Sequence, residues 1–289
     1  MTAPVLRPPR VPDGEDLPAD WLRFLHSLLQ DARRRLRLDD VTGTVTGPAG
    51  GSIGGRACRD GIDLWLRVAP FYADQMDRQT WTGNADANQL TGIARPRVIN
   101  RIEWPHPPIE IGADLMTYIP DPPCAPHHDL TGPLAVSETW WTSLRTSLDR
   151  LAAHPGRRDL DPLTAAYGKR VTASFGPLPP AITPSFSVQH GDLHWSNLTA
   201  PSLHILDWEV WGRTIDGLGP ASLYCSALLV PDTAAKVHAV FRDILDSPSG
   251  RYAQLCIITD RINYHDPSYD SQTGTRLRHL ARTILSRTD

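Results

Sequence analysis

Lysine is nearly absent from this 289-residue chain: of 29 basic side chains only Lys169 and Lys236 are lysines, and the rest are arginine. GC-rich coding is enough to produce that bias, yet it constrains chemistry. Any cation needed before residue 169 must be a guanidinium, a planar five-donor fork, rather than a compact ammonium. Neither sign of charge is in excess. A formal net charge of -3 creates no general attraction for polyanions, so nucleic acid is not an expected partner. Long apolar runs are missing as well. No window approaches the roughly 20 apolar residues that span a bilayer. Met1 to Pro18, rich in proline and charge, has no apolar stretch of the signal-peptide kind. A cytoplasmic protein without a membrane partner is the expectation. Cys58, Cys124, Cys225 and Cys256 stand at no paired spacing, which fits reduced thiols and speaks against a zinc-cysteine or dithiol centre.

What is present begins with 40% apolar residues, enough for a sizeable core in one large domain or two small lobes. Leu17 to Leu38 sets Trp21, Leu22, Leu25, Leu28, Leu29, Ala32 and Leu36 at helical spacing, with Arg33, Arg34, Arg35 and Arg37 near its carboxyl end, an amphipathic surface helix. From Val41 the pattern turns to strands: Val41 to Thr46, a glycine-rich stretch Gly47 to Gly55, Arg56 to Cys58, a turn at Arg59-Asp60-Gly61, and Ile62 to Val68. Phe71 to Leu90 reads as helical with a break near Gly83-Asn84. Pro96 to Trp104 and Ile109 to Ile119 complete an antiparallel sheet. Pro120 to Pro133, with five prolines, reads as a hinge or linker.

Beyond the linker, helices are expected at Val136 to Leu151, Leu163 to Phe175, Leu218 to Leu229, Thr233 to Leu245, Tyr252 to Tyr264 and Thr275 to Leu285, interrupted by a β-like stretch from Ser187 to Glu209. The division is into residues 1–119, a helix plus a β-sheet, and residues 120–289, mainly helical. The fold class is α+β.

Chemistry concentrates in the β-like stretch. Phe186-Ser187-Val188 leads to His190-Gly191-Asp192, Asn197 follows five residues after the aspartate, and the apolar run Leu203 to Leu206 ends at Asp207-Trp208-Glu209. Phosphoryl transfer needs an aligned hydroxyl and neutralised phosphate charge rather than covalent help, and an Asp for the hydroxyl with an Asn and an Asp for a divalent cation would supply that. Two other readings fit the same residues. A tight polar turn would use its Asp and Asn to cap backbone groups. A metallohydrolase would use His190, Asp192, His194 and Asp207 as ligands, although no further His or Glu cluster supports it.

The linked segments His190-Gly191-Asp192 to Asn197 and Leu206-Asp207-Trp208-Glu209 resemble the signature of aminoglycoside and choline-type phosphotransferases. The resemblance implies a bilobal protein-kinase-like fold, with a small antiparallel sheet lobe and a larger helical lobe, and the cofactors ATP and Mg2+. It implies that Asp192 orients the attacking hydroxyl and accepts its proton, that Asn197 and Asp207 hold Mg2+ on the phosphates, and that Glu209 assists. His190 would brace the loop. His194 is left between loop packing and acceptor contact, and Trp208 and Trp211 between packing and lining the acceptor site.

The nucleotide end is sparser. Gly51, Ser52 and Gly54 lie in the glycine-rich stretch whose N–H groups would face phosphate oxygens. The usual lysine is absent, and Arg67 is the placed cation, on the strand face of Asp63 and Trp65. The pattern does not say whether that face is the functional one. No Glu occurs in Phe71 to Leu90, where the family's helix glutamate belongs, leaving Asp74, Asp77 and Asp86. Adenine is expected at Met116 to Ile119 through backbone groups, including those of Thr117 and Tyr118. The family's Pro-x-x-Asp-Leu pattern is missing after residue 212, with Asp216 as a structural stand-in. For the acceptor, Trp195, Trp208, Trp211, Tyr224 and the scattered acids Asp260, Asp266 and Asp270 make no acidic pocket of the kind a polycation needs. A small hydroxylated metabolite is the expected substrate. The alternatives are a Ser/Thr hydroxyl of a biosynthetic peptide and a pseudokinase-like module that binds nucleotide without turnover.

Overall fold

Helix α1 (Ala19–Leu36) forms where apolar residues recur every three or four positions, and Trp21, Leu25, Leu28, Leu29, Ala32 and Leu36 are all buried. Leu22 is only half-buried. Arg37 in the left-handed conformation ends the helix, its N–H reaching back to the Arg33 and Arg34 carbonyls. The computed structural model describes residues 17–47, 50–72, 77–156, 158–264 and 272–286. They belong to two compact units, Met1–Gln89 with Pro96–Pro120 and Leu90–Arg95 with Asp121–Asp289. No helix among the described residues is long and apolar enough to cross a membrane.

In the first unit α1 covers one face of a five-stranded antiparallel sheet, order β1-β2-β3-β5-β4. Its strands are β1 (Asp40–Thr46), β2 (Ile53–Arg59), β3 (Ile62–Phe71), β4 (Val98–His106) and β5 (Ile109–Thr117). The expected hairpin turn closes β2 on β3 with Asp60 and Gly61 both at positive φ, 54° and 75°, as a two-residue primed turn requires. Alternation then sorts the faces. Leu64, Leu66 and Val68 join Ile53, Ala57, Ile111, Ala113 and Leu115 in the core under α1, so Arg67 lies on the opposite face.

That opposite face is charged. Arg67 stands in register with Gly54 on one side and Asp114 on the other. Asp114 is 1% exposed and accepts from Arg101 Nη1 at 2.6 Å. The Arg101 guanidinium stacks on Trp81, 4.7 Å from the ring centroid. Trp81 ends α2 (Arg78–Trp81), which is followed by α3 (Gly83–Asp86) and a 3-10 turn, Ala87–Gln89. The helix expected across Phe71 to Leu90 is thus two single turns broken at Thr82, where Gly83 and Asn84 add little helix propensity. Asp77 caps α2 by accepting the Thr80 N–H at 2.9 Å, and Asp86 accepts the Thr82 hydroxyl at 2.8 Å. Asp74 lies outside the described residues.

The second unit holds α4 (Glu138–Ala152), α5 (Asp161–Phe175), the antiparallel pair β6 (Phe186–Gln189) and β7 (Gly212–Ile215), then α6 (Leu218–Ser226), α7 (Pro231–Val240), α8 (Arg242–Leu245), α9 (Pro248–Tyr264) and α10 (Gln272–Ser286). Helix α9 packs against α5, α6, α8 and α10. The helix expected from Thr233 to Leu245 breaks at Phe241, whose fully buried ring fastens the junction of α7 and α8. The proline-rich run after residue 120 is not a free linker. Cys124 donates its N–H to the Leu198 carbonyl at 2.7 Å and Leu130 to Ser226 at 3.0 Å, while Ala200 N–H reaches the Pro122 carbonyl at 3.1 Å. From Asp121 onward the run is a strap bonded along the unit that carries β6.

Asp114→Ala leaves the Arg101 guanidinium, 15% exposed, with its main counterion removed. Removing one partner of a buried pair costs about 3–5 kcal/mol. The urea midpoint of the variant is expected to fall accordingly, and an unchanged midpoint would show that the pair gives no net support.

Candidate active site

Strand β6 delivers the chain into the loop His190 to Asn197, and side-chain bonds fix that delivery. Gln189 Nε2 donates to Ser187 Oγ at 2.8 Å, Ser187 Oγ donates to Asp216 Oδ1 at 2.5 Å, and Gln189 Oε1 accepts the Gly219 N–H at 3.2 Å. Asp216 therefore acts as a structural tie. At Gly191, φ is 86° and an added Cβ would lie 1.8 Å from the Val210 carbonyl oxygen, so only glycine fits. The loop and the segment after Asp207 touch there backbone to backbone.

A second contact joins them through His190. Its imidazole is 1% exposed, accepts no water-facing role, donates from Nε2 to the Leu206 carbonyl at 2.9 Å and meets Trp208 edge-on at 4.7 Å. Burial pushes its pKa down against the nearby Asp192 and Asp207, which keeps the ring neutral. Through Nε2, His190 ties the loop to the Leu206 segment. The Leu206 N–H completes the seam on the Asn197 carbonyl at 2.8 Å. The run Leu203 to Leu206 is not a strand; it meets Leu198 in a single bridge at Ile205.

Four expected site residues lie along the seam. Asp192 is half-exposed, at 51%, with Oδ2 3.6 Å from His194 Nε2. Half in solvent, the Asp192 carboxyl is ionised at neutral pH. Asn197, 8% exposed, directs Nδ2 at the Asp192 carbonyl, 2.9 Å, and at His194 Nε2, 3.0 Å. An amide nitrogen has two hydrogens, and both are used. The amide oxygen is left for another partner. Asp207 is exposed and has φ 59°, a left-handed conformation rare outside glycine and often retained at functional positions. Glu209 is half-buried, and its carbonyl accepts from Arg158 Nη2 at 3.5 Å.

An amide oxygen and a carboxylate are oxygen donors of the kind that suit a hard cation which completes its shell with phosphate oxygens and water. Among the described residues no group of three or more His, Cys, Asp or Glu could hold a metal ion.

Several expected members are elsewhere. Trp208 and Trp211 are 2% and 0% exposed, so they pack the unit and cannot line an acceptor site. Trp195, also 0% exposed, donates from its indole to the Leu223 carbonyl at 3.2 Å. Tyr224 is half-buried against His238. Asp260 is paired with Arg170, and Asp266 and Asp270 lie outside the described residues. In the sheet unit, Gly54 is buried inside β2 and not in the turn; a Cβ there would meet the Trp65 ring at 2.9 Å, which is a packing reason for glycine. Pro48 and Ala49 lie outside the described residues. The Gly50 carbonyl is taken by the Trp21 indole at 3.0 Å, leaving Gly51 exposed and Ser52 half-buried. The Thr117 N–H is spent on the Arg97 carbonyl at 2.9 Å, so adenine cannot use that donor. Tyr118 lies under the Arg56 guanidinium at 5.2 Å.

Two neighbours escaped the sequence. Asp114 opposes Arg67 only through strand register, and the alternation of Glu110, Gly112 and Asp114 was the available signal. His128 stacks on His194 with centroids 3.8 Å apart and planes at 17°, and no local pattern announces it.

No protein-family model matches the chain, and no curated protein matches it by sequence. Solved structures do match. A thermostable mutant of aminoglycoside phosphotransferase APH(4)-Ia in its apo form aligns with a TM-score of 0.57 at 12% identity, covering 89% of this chain and 99% of that one. The fold is kinase-like. A mutant of the same enzyme in ternary complex with AMP-PNP and hygromycin B gives 0.56 at 11%, covering 90% and 98%. Amicoumacin kinase hAmiN in complex with AMP-PNP, Ca2+ and Ami gives 0.56 at 9%, covering 94% and 97%. The antiparallel sheet unit and the helical unit are those of the kinase-like fold, in the order expected.

Two outcomes follow from the seam. Gly191→Ala must push the Val210 segment away, and its unfolding temperature is expected to drop by several degrees with new protease cleavage between residues 190 and 210; wild-type values for both would contradict the backbone contact. His190, neutral when folded, has a pKa below its unfolded value, so its contribution is full above about pH 6.5 and is lost as pH falls through that value. His190→Gln is expected to flatten the loss of stability between pH 7 and 5 in urea titrations. An equally steep loss would mean another group titrates.

Proposed function

We propose that this chain is an ATP-dependent phosphotransferase that moves the γ-phosphoryl group to a hydroxyl of a small hydroxylated metabolite. One observation carries the reading: an ionised, half-exposed Asp192 is bonded through its own carbonyl to Asn197, and Asn197 bonds the residue before Asp207. Asp192 would orient the acceptor hydroxyl and take its proton as the oxygen attacks phosphorus. The bond from the γ-phosphorus to the bridging oxygen breaks, and ADP leaves. Mg2+, held by Asn197 and Asp207 with Glu209 assisting, would neutralise the charge on the nucleotide phosphates.

Arg67 is the proposed phosphate cation of the sheet unit, and the Gly51 and Ser52 backbone N–H groups are proposed as further donors. Its position on the charged face, in register with Asp114, supports that role. The adenine is proposed near Thr117 and Tyr118, through carbonyl groups and the Tyr118 N–H. Two fold neighbours hold AMP-PNP, one with hygromycin B and one with Ca2+ and Ami, which favours ATP and a small-molecule acceptor. The pairing of Asp260 with Arg170 removes an acid from any polycation pocket, in keeping with a weakly charged acceptor.

The test is incubation with Mg-ATP and a panel of hydroxylated metabolites, read by mass spectrometry. Phosphorylated product is expected, and Asp192→Ala should cut its rate by about 10²–10⁴-fold. Nucleotide binding without product on any acceptor would instead favour a pseudokinase-like module. Arg67→Ala is expected to raise the KM for ATP roughly 10- to 100-fold, the loss of hydrogen bonds from a charged group, while acceptor KM stays fixed. An unchanged KM for ATP would remove Arg67 from the nucleotide site.

A further inference from the structure

The proline-rich strap brings an imidazole to the catalytic loop that the reaction as described does not use. On the amino-terminal side of His128 the strap is held by Pro122 to Ala200 and by Cys124 to Leu198, and Ala125 is buried. On the other side Leu130 bonds Ser226, and the Asp129 carboxylate pairs with Arg261, itself 8% exposed and bonded to Ser226 Oγ at 2.8 Å. Between these anchors His128 is exposed to solvent yet lies flat on the buried His194, centroids 3.8 Å apart.

His194 is fully committed at its edges. Nδ1 meets Ser196 Oγ at 2.8 Å and Nε2 meets Asn197 Nδ2 at 3.0 Å. Since Asn197 Nδ2 can only donate, Nε2 accepts and the ring proton sits on Nδ1, donated to Ser196. At 3.6 Å from Nε2, Asp192 Oδ2 is beyond hydrogen-bond reach. His194 therefore acts on the site through Asn197: it takes one amide hydrogen while the Asp192 carbonyl takes the other. The Asp192 carbonyl, which can only accept, sets which way the amide points, since a reversed amide would turn its oxygen on that carbonyl; the His194 ring holds the amide in that place.

We propose that His128 is a positioning residue: by stacking on His194 it holds the ring that orients the Asn197 amide, so that the amide oxygen is presented to the cation and Asp192 keeps its backbone anchor. The catalytic part of this claim rests on the phosphotransferase reading, whereas the orientation part does not. Flat stacking is supplied by any planar ring, so charge on His128 is not required. Misplacement of a catalytic group by about 1 Å is enough to cost up to 10²-fold in rate.

The experiment uses the full chain in two arms. In the metal-free protein, the Asn197 side-chain amide pair is followed by 15N-edited NMR. His128→Ala is expected to shift and broaden that pair, as His194→Ala does, while His128→Phe and the exposed-neighbour control His127→Ala leave it in place. An Asn197 amide signal identical in His128→Ala and parent overturns the proposal. In the second arm Asp192-dependent hydrolysis of Mg-ATP is measured with water as acceptor. His128→Ala should lower kcat about 10-fold with the KM for ATP unchanged, His128→Phe should recover most of the rate, and His128→Ala combined with His194→Ala should be no slower than His194→Ala alone. Additive losses, or a parental rate in His128→Ala, overturn it. A parent protein with no Asp192-dependent turnover of Mg-ATP, with water or with any acceptor of the panel, refutes the phosphotransferase reading, and the amide signal alone then decides the orientation claim.

Discussion

The active loop depends on one steric constraint, the passage of Gly191 against the Val210 carbonyl, where an added Cβ would have 1.8 Å. Because no side chain fits, the two backbone segments lie in contact, and every other bond across the seam follows from that closeness. His190 reaches the Leu206 carbonyl, Leu206 reaches Asn197, and Trp208 closes on the Ile205 carbonyl at 2.7 Å. Each bond is modest in net worth, about 0.5–1.5 kcal/mol. Together they hold Asp192 on one side and Asp207 on the other without a regular sheet between them.

Such a seam would be mobile in water and is made rigid by what surrounds it. Trp195 lies behind the loop, its indole N–H on Leu223, and Trp140 donates to the Thr199 carbonyl at 2.8 Å. Large apolar rings with one polar handle suit this place, since burial supplies the energy and the N–H satisfies a main-chain oxygen that water cannot reach. The groups left exposed are Asp192 and Asp207. The tryptophans nearest the motif carry the packing instead, and are closed to solvent.

What was legible in the sequence is what local physics decides. Apolar spacing located α1, and the Asp60-Gly61 pair located the β2 to β3 turn because positive φ is a property of those residues themselves. The loop from His190 to Asn197 was legible for the same reason, since its spacing is set within eight residues. Asp114 was not, because its place opposite Arg67 is fixed by the register of strands 47 residues apart. His128 was hidden more deeply. Five prolines read as a hinge, yet a chain stiffened by proline loses little entropy when it is bonded down, and here it is bonded at both ends. Gly54 misled in the opposite direction: the glycine expected in a phosphate turn is also what a strand needs beneath a tryptophan ring.

The shortage of lysine finds its physical setting on the charged face of the sheet. Arg56 pairs with Asp63, Arg78 with Glu103 and Glu110, and Arg101 with Asp114 and Glu103. Guanidinium forks can bond two carboxylates and still stack on a ring, as Arg78 and Arg101 both do on Trp81; an ammonium offers neither the geometry nor the flat face. A guanidinium is also more weakly hydrated, so half-burying Arg67 costs less than half-burying a lysine. Arg67, on the same face and in register with Asp114, is an arginine that packing suits as much as coding does.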